Sequence, residues 1–167
     1  MIKSSLFSIL ILFLCVLVQA GVLSNIYFLP SVPDLVLICS VYFALNNGCV
    51  FGQSMGFIGG LFIDFLSGAT FGLNCFIRTI IGYTCGYFKK SININSFLVG
   101  LFIGFFATIL KALLIYLCSF LFPNMINTYN FFSSIFIFEV IINSILTPIV
   151  FKFLRSFDDY LLLNEHK

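Results

Sequence analysis

Four ionisable side chains stand inside stretches that are otherwise apolar: Asp64, Arg78, Lys111 and Glu139. Acids in such surroundings could in principle shuttle protons. Beside cations they could instead neutralise charge and pin helices together, because an unpaired charge at the bilayer centre costs at least about 3 kcal/mol. Depth suggests the partners. At 1.5 Å per residue, Asp64, Arg78, Lys111 and Glu139 lie ~5, ~9, ~17 and ~12 Å from the outer ends of their apolar stretches. That ordering predicts the ion pairs Asp64–Arg78 and Lys111–Glu139. A short turn joins the stretches carrying Asp64 and Arg78, which supports the first pair; the longer connection before Glu139 supports the second less tightly. Two roles remain open, assembly pins or the lining of a polar cavity or partner contact. Both predict that losing one member of a pair is worse than losing both.

Little else in the chain points to chemistry. The one histidine, His166, is in the tail. Cys15, Cys39, Cys49, Cys75, Cys85 and Cys118 fall in apolar stretches without a CxxC or Cys/His cluster, and read as small buried hydrophobes. No GxSxG, HExxH, Walker loop or paired intramembrane aspartates occur. The expectation is a protein with no catalytic, cofactor-binding or metal-binding residues, no cofactor and no enzymatic activity.

Asp64 also stands in a row of glycines. Gly48, Gly52, Gly56, Gly60, Gly68 and Gly72 are spaced by four, and Asp64 fills the gap in the ladder. Residues four apart on a helix lie nearly above one another, and missing side chains let a neighbouring backbone approach. Gly52, Gly56, Gly59 and Gly60, with the later pair Gly82 and Gly86, therefore form a close-contact face. It serves packing within the molecule or a partner interface. Gly48 belongs to a hairpin closure after Asn46-Asn47, and Gly68 and Gly72 to a turn.

The elements that must position these residues are membrane helices. The chain has 167 residues, 61% hydrophobic and only 8% charged, with mean hydropathy +1.16. A soluble domain carries roughly 25% charged residues, so this chain cannot coat a globule. The net charge of +2 has no basic run or patch behind it, which argues against a nucleic-acid partner. The fold class is an all-α integral membrane protein, a compact bundle of six transmembrane helices. Its single domain covers residues 1–155, with spans at about 4–23, 34–47, 49–67, 72–88, 97–122 and 131–153, and a short cytoplasmic tail at 156–167. Lys3 with Val18-Gln19-Ala20 also fits a cleaved signal peptide, but 4–23 is long enough to span. Asp34 should satisfy free N–H groups at the start of the second helix. Pro148 should kink the sixth near its end. With both termini cytoplasmic, Lys3, Lys89, Lys90, Lys152, Arg155 and Lys167 all fall inside. The tail reads as a frayed terminus.

The segment Pro33-Asp-Leu-Val-Leu-Ile-Cys-Ser-Val-Tyr-Phe-Ala-Leu45, followed by Gly52-Gln-Ser-Met-Gly-Phe-Ile-Gly-Gly-Leu-Phe-Ile-Asp64, Leu66-Ser-Gly68 and Phe71-Gly-Leu73, resembles the bacterial rod shape-determining protein MreD family. Gly82-Tyr83 and Gly86-Tyr87 continue the likeness, which runs over residues 33 to about 88. The resemblance implies a non-enzymatic, multi-pass subunit of the cell-elongation machinery in the bacterial inner membrane. It also implies partners: MreC, and through it MreB, RodA and a transpeptidase penicillin-binding protein, with lateral peptidoglycan synthesis as the process served. The alternative is the substrate-binding membrane subunit of an energy-coupling-factor vitamin transporter, which has similar size and small-residue faces. Its best candidate ligand groups would be Asn124, Asn127, Thr128, Tyr129 and Asn130, which are few.

Overall fold

A computed structural model describes residues 2–22, 30–67, 70–89, 91–92, 94, 96–122 and 133–161. All regular structure among them is helical: α1 (Ile2–Leu17, continued by a π-helical turn over Val18–Val22), α2 (Leu35–Asn47), α3 (Cys49–Ser67), α4 (Leu73–Tyr87), α5 (Phe97–Leu121), α6 (Ser134–Arg155) and α7 (Asp158–Leu161). Four helical stretches are long and apolar enough to cross a membrane: Lys3–Gly21, α3, α5 and α6.

The centre of the bundle is α2. Every residue from Val36 to Leu45 is buried, as expected of a helix that is hydrophobic all round. Tyr42 and Phe43 are fully enclosed, with Leu12, Ile81 and Phe151 brought in from α1, α4 and α6. Tyr42 packs edge-on against Phe151 at 5.1 Å between ring centroids. The helix is also short. Its 13 residues cover about 20 Å, and the 15 of α4 about 23 Å, against a hydrocarbon core of about 30 Å. The expected spans at 34–47 and 72–88 are therefore helices shorter than a full crossing.

Two glycines close the turns. Gly48 takes a φ of 95° and donates its N–H to the Ala44 carbonyl at 2.8 Å, which ends α2 and lets α3 begin at the next residue. Gly72 takes a φ of 90° at the start of α4.

α3 and α4 pack along the glycine row. A methyl group at Gly52 would meet the Gly82 carbonyl oxygen at 2.5 Å, and one at Gly60 the Asn74–Cys75 backbone at 2.6 Å. One at Gly86 would meet the Cys49 backbone at 2.5 Å. Gly56 sits against the Arg78 carbonyl in the same way. Gly59 points elsewhere, toward Val36 of α2 and Leu12 of α1. α5 and α6 form a second close pair, in which Gly100 receives the ring of Pro148 and Gly104 receives Thr147 and the Asn143 carbonyl. α6 continues as a helix through Pro148.

The chain beyond α6 differs from the frayed end expected from sequence. After a turn at Ser156–Phe157, α7 lies across the Gly48 end of the bundle. Leu161 is fully buried and its carbonyl accepts from Asn47 Nδ2 at 3.2 Å. The Tyr42 hydroxyl donates to Asp158. Phe7 of α1 packs on Phe157 and Tyr160, with centroids 6.0 and 5.5 Å away. Apolar burial holds this segment in place of the expected fraying. The expectations on Gly68, Lys90, Asn124, Asn127, Thr128, Tyr129, Asn130, His166 and Lys167 lie outside the described residues.

Candidate functional site

The buried charges gather around a residue that sequence reasoning treated only as a helix cap. Asp34 does cap α2: its Oδ1 accepts the Leu37 N–H at 3.0 Å. The same carboxylate receives Nη2 of Arg78 on both oxygens, each at 2.8 Å. Nζ of Lys111 lies 2.8 Å from Asp34 Oδ2 and 2.8 Å from Glu139 Oε1. A continuous path thus runs from α4 through the start of α2 to α5 and α6. Two cations and two anions cancel in formal charge. Asp34, Arg78 and Glu139 are 2%, 3% and 5% exposed, so the cancellation takes place away from water.

Neutral groups extend the path. The Asp34 backbone N–H donates to Asn143 Oδ1 at 2.9 Å. Asn143 Nδ2 donates to Thr108 Oγ1 at 3.2 Å, and Thr108 Oγ1 donates to the Gly104 carbonyl at 2.8 Å. α5 and α6 therefore meet Asp34 twice, through ions and through this amide–hydroxyl chain. Arg78 spends one terminal nitrogen on Asp34; its Nε and Nη1 have no acceptor among the described residues.

Asp64 stands apart. It accepts the backbone N–H groups of Gly72 at 3.0 Å, Asn74 at 3.3 Å and Cys75 at 3.2 Å, and the Asn74 side-chain amide at 2.8 Å. The first N–H groups of a helix lack partners within it and carry partial positive charge. Gly72, at the N-cap of α4, has no side chain to serve them. Asp64 reaches across from α3 and does so. The expected pair of Asp64 with Arg78 is therefore not formed, and Arg78 belongs to Asp34. Lys111 and Glu139 do come together, but with Asp34 as a third member. The depth ordering left Asp34 out, because a cap explained that residue, yet Asp34 is 2% exposed and the start of α2 is buried. A 13-residue helix anchored at its Gly48 end starts well inside the bundle, and that shortness was the readable signal.

Gly52, Gly56, Gly60, Gly82 and Gly86 are occupied by the α3–α4 contact itself, and Gly59 by α1 and α2. Among the described residues, no group of three His, Cys, Asp or Glu could hold a metal ion. Cys15 and Cys39 place their sulfurs 3.4 Å apart between α1 and α2, as free thiols. The arrangement holds charges in pairs against helix ends.

These features define a class: a helical membrane protein whose buried charges neutralise one another around a short central helix. The chain belongs to the MreD family, whose model, described as rod shape-determining protein MreD, matches residues 1–157. The match takes in α1, α5 and α6 as well as the segment from 33 to 88 where the likeness is readable in motifs. No curated protein and no solved structure matches the chain. Membership makes this a rod-shape-determining membrane protein, of a family not known for enzymatic activity.

Proposed function

We propose that this chain is a non-enzymatic subunit of the cell-elongation machinery in the bacterial inner membrane, helping to organise lateral peptidoglycan synthesis. Its partners on this reading are MreC, and through it MreB, RodA and a transpeptidase penicillin-binding protein. The observation that carries the reading is the family match over residues 1–157. The packing adds a constraint. The glycine faces are filled from within, so contacts with other membrane proteins fall on the exposed apolar faces of the outer helices.

The same proposal includes six helices in the bilayer, α1 to α6, with both termini cytoplasmic. Support comes from charge placement. Lys89 donates to the Asn47 carbonyl and Arg155 to the Ile94 carbonyl, so both lie at the Gly48 end, where α7 also packs. Basic residues favour the cytoplasmic side. A reporter fused after Ser91 should read cytoplasmic, and a periplasmic signal would overturn this orientation.

Depletion tests the function. Cells losing the protein should round up, and vitamin supplements should not restore their shape. Normal rods with a growth defect cured by a vitamin would sink the proposal and favour a transporter subunit.

A further inference from the structure

The bundle has a seam. α3 with α4, and α5 with α6, pack extensively, whereas α4 and α5 touch sparingly although they are neighbours in sequence. Between them, in the half nearer Gly48, lies a groove of about 450 Å³. Leu45 of α2 forms its floor, Cys85 and Phe88 one wall, and Val99, Ile103 and Ala107 the other. The rims are open to the surroundings: Phe88, Phe102 and Phe106 are 50%, 63% and 64% exposed.

The shape of the groove selects its occupant. The α5 wall extends from Val99 to Leu110, about 17 Å at the helical rise. Over that length the groove is an open-sided strip narrower than a helix. A helix with its side chains is about 10–12 Å wide and does not fit. A methylene chain, whose carbons pack at about 4 Å, does. The walls ask for nothing polar, since the Thr84 hydroxyl is already turned back to the Ile81 carbonyl at 3.0 Å. In a bilayer such a groove offers water no partners, and hydrocarbon is the medium at its mouth. Filling it gains dispersion contacts that an empty wall forgoes.

One end of the groove is basic. Phe88 and Ile92 line that end. Lys89 follows Phe88 directly, and Arg155 holds the Ile94 carbonyl at 3.1 Å. Lys3 and Lys152 are exposed at the same end of the bundle. Of the two acids among the described residues there, Asp158 is tied to the Tyr42 hydroxyl and Asp159 is exposed. The cations outnumber the acids. We propose that the α4–α5 groove binds one acyl chain of an anionic glycerophospholipid, with the phosphate at the Lys89–Arg155 end.

The test is photolabelling of the full chain in phosphatidylcholine vesicles. The probe is a small fraction of phosphatidylglycerol, or of phosphatidylcholine, carrying a diazirine on one acyl chain. The expected result is labelling of 99–110 at least threefold above the exposed face of α6 at Ile137–Ile149, and stronger with the phosphatidylglycerol probe. Ala107→Phe should reduce that excess to the α6 level. Because Ala107 is buried and its replacement can disturb folding, Val99→Trp blocks the groove independently at its open end and should act alike. Lys89→Ala should remove the headgroup preference while keeping acyl labelling. Uniform labelling of α5 and α6, equal labelling by the two probes, or insensitivity to both blocking variants would overturn the proposal. So would a photo-crosslinker at Val99 that captures a protein helix in cells while lipid labelling of the groove is absent.

Discussion

At the scale of residues, the account rests on two aspartates with different tasks. Asp34 is a shared counter-ion, bonded to both Arg78 and Lys111. Removing one member of a buried pair strands its partner, at a cost of about 3–5 kcal/mol. Asp34→Asn leaves two cations with Glu139 as the remaining carboxylate of the cluster, whereas Glu139→Gln leaves Lys111 bonded to Asp34. Thermal unfolding in mild detergent should therefore rank Asp34→Asn well below Glu139→Gln, and equal midpoints would contradict the shared role. Asp64 is a cap. Asp64→Ala should destabilise by about 1–3 kcal/mol for backbone donors left without an acceptor. Adding Arg78→Ala should worsen the protein further. Rescue in the double variant, the outcome expected of an ion pair, would restore the pairing that the structure replaces. The residue types of this site were legible in the sequence, because an acid or base in an apolar run is conspicuous. Their partners were not: Asp34 had a sufficient local explanation as a cap, and only the shortness of α2 pointed to a helix start sunk within the bundle.

Elements were more readable. Asn46-Asn47-Gly48 and Gly72 mark helix boundaries because a positive φ is cheap for glycine, and both positions have one. The four-residue glycine spacing predicted a close helix contact, and its geometry fills in the partner: α4, with Gly82 and Gly86 answering Gly52 and Cys49. Gly59 shows the limit of spacing arguments, since one step off the row turns it to α1 and α2. Gly56→Leu should force α3 from the Arg78 backbone and prevent assembly of the bundle while leaving membrane insertion intact. The readout is loss of folded protein at unchanged membrane content. Gly21→Ala is the matching control: nothing lies within 4 Å of that position, and the unfolding free energy should stay within about 0.5 kcal/mol of the parent. A Gly56→Leu protein that unfolds like the control would remove the packing role of the row. The C-terminal segment reads as a frayed terminus in the sequence, whereas in the structure it is buried at Leu161. Its burial depends on Phe7, about 150 residues away in sequence, and composition does not report such a contact.

The whole molecule is two closely packed units, α1–α4 and α5–α6, meeting along a looser seam. Apolar contact at the α4–α5 part of that seam is thin; beside the Tyr42–Phe151 contact of α2 with α6, the bonds radiating from Asp34 tie the units together: Lys111 and Glu139 on one side, Arg78 on the other, and Asn143 to the backbone. A neutral internal clasp holds the helices at fixed angles with most of its charge buried. That clasp is the central claim. A double-mutant cycle on Asp34 and Lys111 tests it most directly, with unfolding free energies of the parent, Asp34→Asn, Lys111→Met and the combined variant in one detergent. A shared clasp gives a coupling of at least about 1 kcal/mol, with the double variant milder than the sum of the singles. Additivity within about 0.5 kcal/mol would show that the two residues act independently, and would contradict it.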